Sequence, residues 1–468
     1  MYLRRVPDAT TNRRERWALG LLWVLLLTLY GGTVSHSWTT PDVASAEIGA
    51  WRIASTGAPW VDGLHSDKYV LSTDATEMDS DARARLVLFA TANERNGHVA
   101  IGRSPGVIAI GVPAYWIQER ISPSSAAEVA PEPGGLTGAF LAASAVLLLL
   151  LALRGLVSFR LIIGAGLALG LATPYWSVLA DALWTHGVTT LGIAGLAWAV
   201  RHERWWLAGI FGGVAVWGRL HVAVIVAVVG LGLAVWRRRP GIAIRIAVTS
   251  VPFLAGTFVW GYWMYGRWSL FAASGGYSQA TGLTGVPDES STGPGVVTNL
   301  LGYLVSPDAG LLVWTPVLLA LAPAVLRAWP TTPDWTRVLA CGGIAYLVVQ
   351  AFLNIFPGGT GFWGNRLGLE TLTCLVPVVV CSLPQVRAGE RLVAIVLLSY
   401  QAGVILLGAA FDLAHRHGLA WREYEPYLAL RDNAAATSVT IGLGMAVTVV
   451  VWRVLSTDRD QLSADPAT

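Results

Sequence analysis

Several ionisable side chains stand beside long apolar runs, where a carboxylate or a guanidinium group can act at the edge of a membrane. Asp42 comes directly after the first apolar run, in the stretch TPDVASAEIGAWRIASTG, and Glu47 lies within the same stretch. A carboxylate can take the proton of an attacking hydroxyl. Arg219 and Arg366 stand at similar boundaries, and arginine binds phosphate through two parallel hydrogen bonds. These residue types suit chemistry between a hydroxyl and a phosphate-bearing lipid.

Pro41 and Asp42 also have a simpler interpretation. Proline is favourable at the first position of a helix, and an aspartate near it can cap free backbone N–H groups. We therefore expect a short helix that starts here, with Asp42 as a cap, as a base, or as both.

The composition indicates a membrane protein with many spans. The 468 residues are 54% hydrophobic and only 13% charged, with a mean hydropathy of +0.55. A soluble domain carries about 25% charged residues. The net charge of +3, without a Lys/Arg block interleaved with aromatics, excludes a nucleic-acid partner. Cys341, Cys374 and Cys381 lie in apolar runs without metal-ligand spacing and are expected to be core residues.

The apolar runs predict an all-α polytopic bundle of about twelve transmembrane helices. We expect a basic cytoplasmic N-terminus (1–16), a transmembrane domain (17–455) and a cytoplasmic polar tail (456–468). The first run, from Trp17 to about Ser37, is predicted to be an uncleaved first helix. A large first extracytoplasmic loop (38–135) follows, in which SPGVIAIGVPAYWI (Ser104–Ile117) is too short to span comfortably. It is expected to form a helix that lies in the interface or re-enters the membrane shallowly.

Arginines in the short loops fix the predicted orientation. Each short loop assigned to the cytoplasm is basic, as the positive-inside rule requires; Arg154/Arg160 and Arg387/Arg391 mark two of them. The run from Trp205 to Trp236 fits this rule only if it is split at Trp217–His221, which places Arg219 near the outer surface. We therefore predict a multi-pass protein of the plasma (inner) membrane with its site on the extracytoplasmic face.

Under this topology the ionisable groups at the outer boundary concentrate on one side. They are Asp42, Glu47, Arg52, Asp181, His186, Arg219, His221, Arg267, Asp308, Arg366 and Glu370. Charged groups at membrane depth usually face a cavity or one another. A symmetric transporter would place such groups near the midplane between two related halves, and the sequence has no such halves.

Five segments resemble parts of known membrane enzymes. Pro41-Asp42 with AEIGAWRIAST and Gly57 looks like the first-loop pattern of integral-membrane GT-C glycosyltransferases, including protein O-mannosyltransferases and lipid A aminoarabinose transferases. Those enzymes often have Asp-Glu, whereas Val43 follows Asp42 here. SPGVIAIGVPAYWI, LWTHG, SPDAGLLVWTP and GGTGFWGNRLGLE occur in the order typical of bacterial members, including membrane arabinofuranosyltransferases.

The resemblance implies a GT-C-like fold and transfer of a sugar, with inversion, from a polyprenyl-phosphate donor to an extracytoplasmic glycan, lipid or protein. It implies Asp42 as the general base, with Glu47 as a candidate second acid. Arg219 and Arg366 would bind the donor phosphate, with His186 and Glu370 as polar partners. No closed metal-ligand set is evident, so no metal or other cofactor is expected, although a divalent metal is not excluded by the sequence.

Each of these residues also has a purely structural interpretation. Glu47 could lie on the solvated face of the short helix, and His186 could be an interfacial residue with a polar tip. Arg219 and Arg366 could extend to headgroups without a specific partner. Glu370 could be stabilised by a helix N-terminus or by Arg366.

Two further patterns are not taken as sites. Asp79-Ser80-Asp81 matches DxD but is assigned to an outer loop, away from cytoplasmic nucleotide sugars. Gly359–Gly364 matches GxGxxG but follows no strand, so it is not a dinucleotide site. The alternatives to a transferase are a flippase or transporter of lipid-linked glycans and a non-catalytic scaffold of the cell envelope.

Overall fold

The computed structural model describes residues 9–64, 66–74, 85–272, 295–307, 309–354, 356, 359, 361–413 and 421–456. Within them the chain is mainly helical. The helices are α1 (Ala9–Gly31), α2 (Pro41–Thr56), α3 (Pro105–Ile121), α4 (Glu132–Leu153), α5 (Phe159–Leu171), α6 (Thr185–Arg201), α7 (Trp205–Gly218), α8 (Ala223–Trp236), α9 (Gly241–Tyr265), α10 (Val296–Val305), α11 (Leu311–Trp314), α12 (Val317–Ala328), α13 (Asp334–Leu353), α14 (Leu369–Ser382), α15 (Ala388–Phe411), α16 (Glu425–Asp432) and α17 (Ala434–Ser456).

Five of the described helices are long and apolar enough to cross a membrane. They are α4, α9, α13, α15 and α17, the last over Ala434–Arg453. Several shorter apolar helices accompany them, among them α5, α7 and α14. The prediction of a helical membrane protein is therefore confirmed, whereas the predicted number of about twelve spans is not.

The first helix begins and ends earlier than the sequence indicates. It runs from Ala9 to Gly31, so the basic residues around Arg14 belong to the helix and the chain leaves it before Ser37. Farther on, the apolar run 309–326 is divided between α11 and α12 at Thr315-Pro316. A proline has no N–H to donate and favours the first turn of a helix, so a new helix starts there.

The predicted break between α7 and α8 is confirmed. Helix α7 ends at Gly218, Arg219 has extended backbone, and a single 3₁₀ turn (Leu220–Val222) leads into α8. Because of this break, Arg219 lies outside both helices. Helix α7 packs against α6 and α9, and α8 packs against α13.

The first loop forms a small layer of its own over the helices. Strand β1 (Tyr69–Leu71) pairs in parallel with β2 (Leu86–Leu88), and β3 (Ala90–Ala92) pairs antiparallel with β4 (Val99–Ile101). These strands pack with α2 and α3 around a separate apolar core that includes Ile48 and Ile108. SPGVIAIGVPAYWI is helical, as predicted, and forms most of α3.

Helix α2 begins where the sequence predicts, but with a different cap. Thr40 is the cap: its side-chain oxygen accepts a hydrogen bond from the Asp42 N–H at 3.3 Å. Pro41 is the first helical residue, and Gly57 ends the helix with a left-handed φ of 72°. The interpretation of Asp42 as a cap is therefore wrong, and its carboxylate is available for other partners.

Candidate active site

The carboxylate of Asp42 lies between two arginines. Its Oδ1 accepts a hydrogen bond from a terminal nitrogen of Arg103, and its Oδ2 accepts one from Arg366, both at 2.6 Å. All three side chains are mostly buried, with exposed fractions of 18% for Asp42, 14% for Arg103 and 10% for Arg366. Each carboxylate oxygen thus has its own charged donor. The three side chains together carry a net charge of one positive unit, from two guanidinium groups and one carboxylate.

Electrostatics hold this carboxylate ionised. Burial alone would raise the pKa of Asp42, but the guanidinium groups of Arg103 and Arg366 outweigh it and keep the pKa well below its usual range. An ionised Asp42 with both oxygens engaged is a weak base. Its basicity increases only if one or both arginines find another anion.

Arg366 is held in place on two aromatic rings. Its guanidinium carbon lies 4.8 Å from the ring centroids of Trp184 and of Phe362. The loop that carries it is joined to the start of α2, because the Thr39 hydroxyl donates to the Gly361 carbonyl at 2.6 Å. Gly361 has a φ of 84°, and a Cβ there would lie 2.4 Å from the Thr39 carbonyl oxygen. Only glycine fits this contact, which sets Arg366 opposite Asp42.

Arg103 comes from the short link between β4 and α3. Its guanidinium carbon lies 5.5 Å from the centroid of Phe89, a residue between β2 and β3. The backbone carbonyl of Arg103 accepts a hydrogen bond from the Tyr265 hydroxyl at 3.2 Å. The small strand layer therefore positions Arg103 beside Asp42 at the start of α2.

A second polar group is buried where α6 and α14 begin. His186 Nδ1 lies 2.8 Å from Glu370 Oε1, and the Thr189 hydroxyl donates to the same oxygen at 2.7 Å. Arg219 extends to both residues, with a terminal nitrogen 3.3 Å from the His186 ring and 3.9 Å from Glu370. Because a guanidinium only donates, His186 must accept through Nε2 and give its Nδ1 proton to Glu370.

Tyr346 extends this group toward α13. Its hydroxyl accepts a hydrogen bond from Arg219 at 3.3 Å and lies 3.2 Å from His221 Nε2. The His221 and Tyr346 rings are stacked, with centroids 5.2 Å apart. Arg219 is therefore positioned by groups from α6, α13 and α14, on a chain segment freed by the break after α7.

The two groups lie next to each other. Trp184, which supports Arg366, precedes α6 and His186, while Glu370 follows Arg366 by four residues. Asp42 interacts electrostatically with His186 and with Arg219. The structure thus brings five of the six predicted site residues into one region: Asp42, His186, Arg219, Arg366 and Glu370.

Glu47 is not part of this region. Five residues along a helix of 3.6 residues per turn rotate a side chain by about 140°, so Glu47 faces away from Asp42. It is fully buried, with Oε2 accepting from the Trp38 indole at 2.6 Å and Oε1 from the Leu183 N–H at 3.3 Å. The expectation of a solvated face is therefore wrong. Burial, acting against these hydrogen bonds, raises the pKa of Glu47 to about 8.

The other structural interpretations also need correction. His186 is 2% exposed and not an interfacial residue. Arg219 and Arg366 have specific partners and do not simply extend to headgroups. Glu370 lies in the first turn of α14, but its hydrogen-bond partner is His186 and the nearby cation is Arg219, not Arg366.

Three residues of the region were not predicted: Arg103, Thr189 and Tyr346. Arg103 stands immediately before the SPGVIAIGVPAYWI segment. A charged residue beside a predicted interfacial helix is the sequence feature that could have identified it as a site residue. Of the remaining outer residues, Arg52 donates to the Trp60 carbonyl at 2.6 Å, and Arg267 pairs with Glu94 on the surface. Asp308 and the Asp79-Ser80-Asp81 pattern lie outside the described residues.

A metal ion would need a group of carboxylates, histidines or cysteines facing a common point. Among the described residues no three such side chains are placed to hold one. The described groups around Asp42 are instead two guanidinium groups and one carboxylate, an arrangement that favours an anion over a cation.

Comparison with known proteins gives only structural likeness. No protein-family model matches the sequence, and no curated protein matches it. The archaeal oligosaccharyltransferase AglB from Archaeoglobus fulgidus, in complex with an inhibitory peptide and a dolichol-phosphate, is similar at 11% identity and a TM-score of 0.44, over 92% of this chain and 56% of that chain. The Archaeoglobus fulgidus oligosaccharyltransferase in complex with Zn and sulfate is similar at 12% identity and a TM-score of 0.49, over 91% of this chain and 57% of that chain. This chain thus spans a little over half the length of those proteins, and likeness at this level says nothing about its reaction.

Proposed function

We propose that this chain is a membrane glycosyltransferase that moves a sugar from a polyprenyl-phosphate donor to a hydroxyl on an extracytoplasmic acceptor. The observation that carries the proposal is the Asp42 carboxylate held between Arg103 and Arg366, with Arg219 beside them. The resemblance of the Asp42 segment to GT-C first loops names the donor class. A base and a cationic anion site in one place are what such a transfer requires.

The arginines would bind the phosphate of the donor. A guanidinium offers several N–H donors in a fixed plane and stays charged when buried. Arg103 and Arg366 already hold a planar anion by one 2.6 Å contact each. A phosphate in that position would accept from both, and Arg219 would supply a third positive charge as negative charge develops on the leaving phosphate.

Asp42 would then act as the general base. The acceptor hydroxyl attacks the anomeric carbon of the sugar, its proton passes to the Asp42 carboxylate, and the bond from that carbon to the phosphate oxygen breaks. The electron pair of the broken bond leaves with polyprenyl phosphate. The products are the glycosylated acceptor and free polyprenyl phosphate, and the proton later leaves Asp42 for solvent.

Donor binding would also activate the base. In the structure the Asp42 carboxylate lies between the two arginines that we propose as phosphate ligands, so its pKa is low. When the donor phosphate binds Arg103 and Arg366, their positive charges, which lower the pKa of Asp42, are shared with a second anion. The carboxylate then becomes more basic at the moment the sugar arrives. The expected order is donor first, acceptor second.

The polar group around Glu370 would position Arg219. Glu370 is fully buried and holds His186, which in turn accepts from Arg219. We assign no catalytic part to Glu47, because it would have to leave Trp38 and Leu183 to meet an acceptor. The base is Asp42 alone.

The test is turnover of a labelled polyprenyl-phosphate sugar by purified protein, with candidate glycan, lipid and protein acceptors. Release of free polyprenyl phosphate that depends on acceptor, and that Asp42→Asn abolishes, is the expected result. Glu94→Gln is the matched control, because it removes a carboxylate from an exposed ion pair in the same loop. Equal turnover by wild type and Asp42→Asn would overturn the assignment of the base.

A flippase would use the same arginines and gives a different outcome. In vesicles it would move the lipid-linked sugar between leaflets and leave it intact, without release of polyprenyl phosphate. A scaffold would show neither reaction, and Asp42→Asn would leave its function unchanged. Either outcome would replace the transferase proposal.

A further inference from the structure

A large apolar cavity lies among the helices, away from the candidate active site. Its volume is about 750 Å³, within the range of small-molecule sites. It is lined by residues of α1, α5, α12, α14, α15 and α17, such as Leu29, Leu169, Leu321, Val376, Leu398 and Val447.

The cavity is on the opposite side of α14 from the active site. Leu372, Val376 and Val380 line it, whereas Glu370 turns to His186 on α6. Residues 370 and 372 are about 200° apart around a helix of 3.6 residues per turn, which accounts for the two directions. An occupant of the cavity would therefore not touch Asp42 or its arginines.

The length of the cavity matches one leaflet of a bilayer. The lining residues of α5 extend from Arg160 to Leu171, about 17 Å at 1.5 Å per residue. Those of α15 extend from Arg391 to Leu406, about 22 Å by the same rise. Half of a hydrocarbon core of about 30 Å is about 15 Å. The space therefore suits an extended hydrocarbon chain from a single leaflet.

Both basic residues that line the cavity are at the same end. Arg160 and Arg391 lie in the first turns of α5 and α15, and the positive-inside pattern assigns the loop before each of these helices to the cytoplasm. Farther along both helices, the Gln401 amide donates to the carbonyl of Ala172. Arg160 and Arg391 therefore line the cytoplasmic end of the cavity, and Trp452 of α17 also lines the cavity. Arginine and tryptophan are the residues that mark the headgroup level of a membrane.

We propose that the cavity binds one acyl chain of an anionic phospholipid, with the headgroup phosphate at Arg160 and Arg391. The apolar length fits the chain, and guanidinium groups bind phosphate through charged hydrogen bonds. Arg160 and Arg391 lie in the first turns of α5 and α15, at the ends that the positive-inside pattern assigns to the cytoplasm, so the lipid comes from the cytoplasmic leaflet. The proposed donor phosphate, in contrast, binds at α2 on the other side of the membrane. This inference does not depend on the proposed reaction.

The test is native mass spectrometry of the purified full-length protein released from nanodiscs that contain phosphatidylglycerol and phosphatidylcholine in equal amounts. At about 1 kcal/mol for each arginine near an anionic lipid, two arginines predict about thirtyfold preference for phosphatidylglycerol. We expect one retained phosphatidylglycerol, and loss of the preference in Arg160→Gln/Arg391→Gln. Arg239→Gln/Arg245→Gln is the matched control, because it removes two exposed arginines that do not line the cavity.

A second variant tests the cavity itself. Ala168→Phe places a ring into the space between α5 and its neighbours and is expected to prevent retention of the lipid. Equal retention by wild type and both variants would overturn the proposal. So would equal affinity for the two phospholipids, or displacement of phosphatidylglycerol by added polyprenyl phosphate, which would make the cavity a donor-chain site. If Ala168→Phe does not fold, the arginine variant and its control decide the question. Because no sugar donor is added, failure here says nothing against the proposed transferase.

Discussion

Asp42→Asn should strengthen binding of the donor lipid and at the same time abolish its turnover. In the proposed mechanism the carboxylate competes with the donor phosphate for Arg103 and Arg366. Asparagine keeps the size of the side chain and one acceptor oxygen but loses the charge. We therefore expect this variant to bind polyprenyl phosphate more tightly than wild type, although it does not turn over the donor.

The magnitude follows from the two contacts that the phosphate has to replace. Each is a 2.6 Å hydrogen bond between charged groups. Such bonds contribute about 1.5–3 kcal/mol each, so opening both costs about 3–6 kcal/mol. The side chains are partly exposed, so the low end applies, and an asparagine recovers some of it. A remaining gain of about 1.4–2.8 kcal/mol corresponds to roughly ten- to a hundredfold tighter binding. Loss of the base should lower turnover by about 10²–10⁴-fold.

The assay is binding of polyprenyl phosphate to detergent-solubilised protein, followed by thermal unfolding with and without that lipid. Without lipid, Asp42→Asn should unfold at a lower temperature than wild type, because two mostly buried arginines lose their counter-ion. With lipid, its midpoint should rise by more than that of wild type. Glu94→Gln should behave as wild type in both measurements.

One result would refute the competition outright. If folded Asp42→Asn binds polyprenyl phosphate no more tightly than wild type, the phosphate does not replace the carboxylate at Arg103 and Arg366. Tighter binding together with normal turnover would keep the phosphate site and remove Asp42 as the base.

Three further changes test the surroundings. The pKa of Glu47 is raised to about 8, so the folded protein keeps a proton on Glu47 that the unfolded chain loses above about pH 4.5. The contribution of this protonated side chain to stability is therefore complete below about pH 4.5 and is lost as the pH rises to about 8. The unfolding free energy should therefore fall by at most about 5 kcal/mol over this window in wild type, at 1.36 kcal/mol for each unit, and Glu47→Gln should remove that part of the pH dependence in thermal unfolding. Glu370→Gln removes the carboxylate that accepts from His186 and lies 3.9 Å from Arg219. It leaves that mostly buried guanidinium without this counter-ion and should cost about 3–5 kcal/mol in denaturant unfolding, whereas a change below 1 kcal/mol would mean that Glu370 does not balance Arg219. Gly361→Ala places a Cβ 2.4 Å from the Thr39 carbonyl and should weaken donor binding in titrations at least tenfold, whereas unchanged affinity would show that this contact does not position Arg366.

The sequence predicted which residues share one region, but it did not predict the contacts between them. Apolar periodicity and the positive-inside rule are local, so they placed the break at Trp217–His221 correctly and with it Arg219. The boundary position of Asp42 and Arg366 led to the expectation of a shared site. Neither signal carries the pairing itself, because the contact between them depends on where a distant loop folds back.

Two features were out of reach for a physical reason. Glu47 occurs on a helix expected to be exposed on one side, and only the packing of this face of α2 against Gly134 of α4 and the segment before α6 makes it an interior one. Arg103 gained its role from the strands β3 and β4, which are only three residues long each. Strands that short have too little alternation to be read from a sequence, so the residue that follows them could not be placed.

The distance along the chain between Asp42 and its two arginines sets an order for assembly. Arg103 follows Asp42 by 61 residues, whereas Arg366 follows it by 324. At ~5–20 residues per second, synthesis of the longer segment takes roughly 15–65 s. During that interval Asp42 has Arg103 as the first of its two hydrogen-bonded guanidinium partners. A chain that ends before Arg366 therefore leaves in the membrane a product with Asp42 paired to Arg103 but without the second guanidinium group of the proposed phosphate site.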